Sequence, residues 1–118
     1  IEDAIKDAKH NATTNHIDNI NFHCGDLKDV LNSDIMSTIE KPNIIIVDPP
    51  RPGLHPNTVK NIIKLSPEKI IYVSCNPATM ARDIEILASE QYSITDLQPI
   101  DMFPHTPHIE CVATLILN

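Results

Sequence analysis

Lys69-Ile70-Ile71-Tyr72-Val73-Ser74-Cys75-Asn76-Pro77-Ala78-Thr79 is the stretch on which the reading of the whole chain turns. After Lys69 the run to Val73 is β-branched or aromatic, which fits a buried strand. Asn76-Pro77 ends it, because Pro77 cannot donate to a ladder and disfavours the helical region at the residue before it. Ala78 to Ser89 then reads as a helix. Cys75 therefore falls at a strand-to-helix junction, which in a parallel sheet is the carboxyl edge where open α/β sheets place their ligands. A helix N-terminus beside a thiol favours the thiolate. The plainer reading of a cysteine is a small buried hydrophobe.

Two other segments weigh against that plainer reading. Asp48-Pro49-Pro50-Arg51-Pro52-Gly53 ends a second apolar strand, Asn43 to Val47. Ile100-Asp101-Met102-Phe103-Pro104-His105-Thr106-Pro107-His108-Ile109-Glu110 leads into a third, ending at Leu117. Polar groups at the ends of three apolar strands are expected to converge on one edge of one sheet.

Working outward, Ile1 to about Asn15 reads as a helix, Ile20 to Cys24 as a short strand before Gly25-Asp26, and Leu27 to about Thr38 as a helix. Pro56 to Leu65 is a helix with proline in its first turn. Tyr92 to Ile100 and Ile109 to Leu117 are strands. Helix and strand alternate, so the expected class is α/β with a mainly parallel sheet. The last two strands lack a helix between them and are expected to pair antiparallel.

With 118 residues the chain has room for one small domain, and 42% hydrophobic content marks it as globular. No apolar run is long enough to span a membrane, and no segment resembles a signal peptide. Three cysteines, Cys24, Cys75 and Cys111, form no disulfide framework and fit a reducing, cytoplasmic setting. His105 and His108 suggest a metal pair, but no further ligand cluster accompanies them, so a loop-ordering role is favoured and no metal is expected. The net charge of −7 is wrong for a main phosphate-binding surface. Only two glycines, Gly25 and Gly53, are present, and there is no glycine-rich nucleotide loop.

The motifs from Asp48 to Thr79 and from Ile100 to Glu110 resemble those of the S-adenosylmethionine-dependent RNA uracil-5-methyltransferases, which make 5-methyluridine in tRNA and ribosomal RNA. The first pattern is Asp/Asn-Pro-x-Arg-x-Gly, a spacer, then aliphatic-aliphatic-Tyr-x-Ser-Cys-Asn-x-x-Thr. The second is aliphatic-Asp-x-Phe-Pro-x-Thr-x-His-aliphatic-Glu. The resemblance covers nearly the whole chain but only part of the family's protein. It implies a partial Rossmann-like methyltransferase fold, with residues 1–118 as a C-terminal fragment of the catalytic domain. The family's first two strands and glycine turn would then lie before Ile1, which accounts for the missing glycine loop and the acidic charge.

Carbon 5 of uracil is a weak nucleophile. A thiolate that adds to carbon 6 makes an enolate whose carbon 5 can attack a sulfonium methyl. The thiolate is the reactive form, and an ordinary cysteine titrates at about 8.5. The resemblance makes Cys75 this nucleophile and Glu110 the base that later removes the carbon 5 proton. It assigns Asp48, held by two prolines, and Asp26 to the S-adenosylmethionine site. Arg51 is expected to order the pocket by pairing with a carboxylate, or else to touch base or phosphate. RNA is the implied partner.

Two other readings compete. Amino-group methyltransferases also carry Asp-Pro-Pro at a strand end, but they usually stack the target base on an aromatic where Arg51 stands, and they need neither Cys75 nor Glu110. A non-catalytic α/β interaction domain or a redox thiol protein is the third. The 118 residues alone are expected to be inactive. They are also expected to close Ile20–Cys24 against Asn43–Val47, or to self-associate through that edge.

Overall fold

The computed structural model describes residues 2–27 and 40–118. The chain divides into two compact units, Ile1–Thr38 and Ile39–Asn118. In the first unit, α1 spans Glu2–Thr14, with Glu2 and Asp3 in its first turn, where the partial positive charge of the helix end favours carboxylates. It stops at His16, whose φ of 55° is left-handed. The Ile17 N–H then reaches back to the Ala12 carbonyl at 2.9 Å, so the last turn is closed in the manner of a Schellman cap.

The strand expected at Ile20–Cys24 does not form. Its Ile-Asn-Phe-His-Cys alternation suits one half-buried face, but a strand exists only through its ladder. Residues 20–24 have no ladder partner among the described residues. All but the first residue of the helix expected from Leu27 to about Thr38 lies outside the described residues.

The second unit runs β1 (Ile44–Val47), α2 (Pro56–Leu65), β2 (Lys69–Ser74), α3 (Pro77–Glu90), β3 (Tyr92–Ile100) and β4 (Glu110–Leu117). The strand order is β1-β2-β4-β3. β1 pairs parallel with β2, and β4 pairs antiparallel with both β2 and β3. Three strands thus share one direction and β4 alone opposes them, which makes the sheet mixed. The last strand slots between β2 and β3, the two strands that α3 connects.

Strand period 2 decides which face is covered. On β2, Ile70, Tyr72 and Ser74 are buried, and on β4 so are Cys111, Ala113 and Leu115. All of these except Ser74 meet Val59 and Ile62 of α2 and Met80, Ile84 and Leu87 of α3 in one apolar core. Each such aliphatic side chain contributes about 1.5–3 kcal/mol of burial. Both helices are set by their ends. His55 Nδ1 accepts from the Asn57 N–H before Pro56 begins α2, and Ser66 closes that helix in the left-handed region. Asn76 caps α3, with Pro77 at the first helical position.

The opposite face is less covered. Ile44 is 53% and Ile46 67% exposed, and among the described residues β1 has a ladder on one side only. Among the described residues, no helix is long and apolar enough to cross a membrane.

Candidate active site

β1 and β2 both finish at one end of the sheet, and β4 starts there. Val47 pairs with Tyr72, and Ser74 pairs with Cys111. Asp48 follows Val47 directly, Cys75 follows Ser74, and Glu110 precedes Cys111. Beyond the last rung of the β2·β4 ladder, the next residues outward are Cys75 and Glu110. Asp48, Cys75 and Glu110 thus share the edge at which β1 and β2 terminate.

Glu110 is half-buried and lines a recess of about 260 Å³ with Val73, Val112, Ile100, Met102 and Phe103. Val73 and Val112 are paired across the ladder and belong to the sheet face away from α2 and α3. Cys75 follows the end of β2 and is not among the residues that line this recess. Met102 and Phe103 are 61% and 52% exposed, so a flat apolar ligand could rest against them. The loop that presents them is ordered by its own turn. The Thr106 N–H and Oγ1 both donate to the Phe103 carbonyl, at 3.2 and 2.8 Å, with His105 in the left-handed region between them.

Cys75 is half-buried in the turn that opens α3. The Ser74 hydroxyl donates to the Asn76 carbonyl and accepts from the Asn76 N–H, both at 3.0 Å. The Asn76 Oδ1 in turn accepts from the Ala78 N–H at 3.2 Å. Cys75 is gripped on both sides by this turn. Cys111 differs from it: it is buried in the core, and burial raises its thiol above the ordinary range.

Asp48 and Arg51 are exposed, while Pro49 between them and Asp48's neighbour Val47 are buried. The Arg51 guanidinium has no carboxylate partner among the described residues. Its backbone carbonyl is held instead, by Asn76 Nδ2 at 3.1 Å and Thr79 Oγ1 at 3.0 Å. The Gly53 N–H closes a turn onto the Pro50 carbonyl at 2.8 Å. Asp26 is exposed and lies in the first unit.

Sequence reading missed Asp83. It is 1% exposed on α3 beneath this loop. Its Oδ2 accepts from the Leu54 N–H and the Tyr72 hydroxyl, both at 2.7 Å. Its Oδ1 accepts from Arg82 Nε and Nη2, at 2.9 and 2.7 Å. A buried carboxylate costs several kcal/mol unless its lone pairs are used, and all four of these contacts use them. Burial, with the bond to Asp83, pushes the Tyr72 phenol well above its usual range. The signal was available: Asp83 interrupts the apolar stripe Met80, Ile84, Leu87 at helical spacing. A cavity of about 390 Å³ behind the loop is lined by Leu54, His55, Val59, Arg82 and Ile86 among others, but by neither Cys75 nor Glu110.

Residues 2–117 match the family model described as tRNA (uracil-5-)-methyltransferase. The chain is 47% identical over its full length to an uncharacterized RNA methyltransferase of Bacteroides thetaiotaomicron, and covers 26% of that protein. It is 46% identical over 98% of its length to one of Staphylococcus epidermidis, covering 25%. It thus spans about a quarter of the length of these relatives. Among solved structures it is similar to the Pyrococcus abyssi tRNA (uracil-54, C5)-methyltransferase in complex with S-adenosyl-L-homocysteine. That match has a TM-score of 0.80 and 39% identity, over 98% of this chain and 27% of the other. M1.HpyAVI matches at a TM-score of 0.61 with 11% identity, over 81% and 54% of the two chains, a likeness of fold alone. The chain belongs to the tRNA (uracil-5-)-methyltransferase family.

Proposed function

We propose that the protein transfers a methyl group from S-adenosylmethionine to carbon 5 of a uridine in tRNA or ribosomal RNA. In this reading the Cys75 thiolate adds to carbon 6 of the ring, and the electron pair displaced from the 5,6 double bond moves to carbon 5 and the adjoining carbonyl. Carbon 5 would then take the methyl as the methyl–sulfur bond breaks, its electron pair remaining on sulfur and S-adenosylhomocysteine leaving. Glu110 accepts the proton left on carbon 5, and the electrons of that bond re-form the double bond as the Cys75–carbon 6 bond breaks. Thiolate and base are both restored once Glu110 releases its proton. The observation that supports this division of labour is the β2·β4 register, in which Ser74 faces Cys111 and the next residues outward are Cys75 and Glu110.

S-adenosylmethionine supplies the electrophilic methyl when bound. At the end of β1 the chain offers acceptors: the Asp48 carboxylate, followed by two prolines without N–H groups. That set fits a ligand that brings N–H donors, such as a nucleobase or the amino groups of this cofactor. Asp48 is the residue of this sheet edge assigned to hold it. Arg51, with its carbonyl fixed and its guanidinium unpaired among the described residues, is assigned to RNA phosphate or base. Phe103 and Met102 provide an apolar wall for the uracil ring.

The test is incubation of the complete protein with S-adenosylmethionine and unmodified tRNA or ribosomal RNA, followed by nucleoside mass spectrometry. 5-methyluridine is the expected product. A methylated amino group on adenine or cytosine, with no 5-methyluridine, would overturn the reading in favour of the amino-group class.

A further inference from the structure

We propose that Arg82 and Asp83 are positioning residues that lock the loop after β1 to the turn carrying Cys75. The catalytic consequence rests on the methyl-transfer reading above, whereas the mechanical coupling does not. From Pro50 to Leu54 six of the eight backbone N–H and carbonyl groups are committed. The Pro50 carbonyl takes the Gly53 N–H, and the Arg51 carbonyl takes Asn76 and Thr79. The Pro52 and Leu54 carbonyls take Arg82 Nη2, at 3.0 and 3.4 Å, and the Leu54 N–H goes to Asp83. Apart from the internal turn, all partners lie between Asn76 and Asp83, in the cap and first two turns of α3. The loop behind Asp48 and the turn behind Cys75 are therefore fastened to the same short piece of helix.

Asp83 is the centre of this fastening. An apolar residue at this depth would cost less. What the carboxylate adds is direction: one oxygen ties the loop to β2 through Leu54 and Tyr72, and the other fixes Arg82 for its reach to Pro52. The fit is close enough that a side chain at residue 53 would force Asp83 or Arg82 to shift. A Cβ on Gly53, whose φ is +82°, would lie 2.7 Å from Asp83 Oδ2 and 2.8 Å from Arg82 Nη2. Because a misplacement of about 1 Å can cost about a hundredfold in rate, coupling the two loops is a direct way to keep Asp48 and Arg51 in register with Cys75.

Arg82→Gln, Arg82→Lys and Thr79→Val in the complete protein test this, since their side chains are not in the core and the fold should persist. Amide hydrogen exchange at Gly53 and Leu54 should speed up by about tenfold or more in Arg82→Gln, with the β4 amides unchanged. The kcat for 5-methyluridine formation should fall about 10–100-fold with little change in KM for RNA, and Arg82→Lys should recover part of it. Thr79→Val should move both readouts in the same direction, by less. Unchanged exchange at Gly53 and Leu54 would overturn the lock. Faster exchange with kcat intact well below the melting temperature would overturn the positioning role. If the wild-type protein makes no 5-methyluridine, the methyl-transfer reading falls, and the exchange measurement still decides whether the lock exists.

Discussion

Ser74 and Cys111 face each other on the outermost rung of the β2·β4 ladder, with Ser74 in hydrogen bonds to Asn76 and Cys111 in the core. Their outward neighbours are Cys75 and Glu110. Cys75 follows the last residue of β2 and Glu110 opens β4, so the end of this ladder brings a thiol and a carboxylate to one edge of the sheet. Nothing in the separation of thirty-odd residues between them in sequence requires this. It follows from β4 entering the sheet beside β2 rather than beyond β3.

Removing either member of this pair should stop turnover in a different way. Cys75→Ala is expected to abolish methylation and any covalent RNA complex. Glu110→Gln should slow turnover by about 10²–10⁴-fold while leaving addition and methyl transfer possible, so a protein–RNA adduct should accumulate. Denaturing gel electrophoresis with labelled RNA separates the two outcomes. Full turnover by Cys75→Ala would eliminate covalent catalysis.

Gly53→Ala should be costly for its size. The positive φ and the contacts with Asp83 and Arg82 together predict a loss of about 1–3 kcal/mol in stability, measured by denaturant titration. A loss below a few tenths of a kcal/mol would mean that the loop yields easily and is not tightly held.

Tyr72→Phe removes one donor to Asp83 and should destabilise by about 1–2 kcal/mol near neutral pH. It should also change the alkaline limb of the stability profile. The folded-state phenol is raised, chiefly by burial, so its contribution is complete below the ordinary tyrosine range near 10 and is lost as pH climbs above it, where only the unfolded chain ionises. Tyr92 and Cys111 are also raised by burial, so the variant should keep a shallower alkaline loss rather than none. Equal alkaline slopes in variant and wild type would contradict the burial argument.

Much of this architecture is legible in the sequence because it rests on local rules. The alternation in Lys69–Ser74, the Asn76-Pro77 break and the proline opening α2 each report a short-range constraint, and the elements appear within a residue or two of their expected bounds. The edge shared by Asp48, Cys75 and Glu110 follows from strand ends alone. Ile20–Cys24 was misread because alternation shows what a strand would bury and not whether a neighbour exists to pair with it. Arg51 was expected to order its surroundings through its side chain, whereas its carbonyl is what is gripped, a choice that residue type does not encode. Asp83 reads as surface charge until its place among Met80, Ile84 and Leu87 is noticed.

The 118 residues alone are expected not to bind S-adenosylmethionine tightly. Among the described residues β1 has a partner on one side only, and Ile44 and Ile46 are largely uncovered, so self-association is the expected behaviour instead. Titration calorimetry and sedimentation check this, and tight one-to-one binding by a monomer would show the cofactor site to be local to these residues.

The most direct measurement of the central claim is mass spectrometry of the complete protein after reaction with S-adenosylmethionine and RNA containing 5-fluorouridine. Fluorine on carbon 5 leaves no proton for Glu110 to remove, so the adduct cannot resolve. The expected result is a stable protein–RNA species whose modified peptide carries the methylated fluorouridine on Cys75. Methylation of the normal substrate by the same preparation, with no adduct or with one on Cys24 or Cys111, would contradict it.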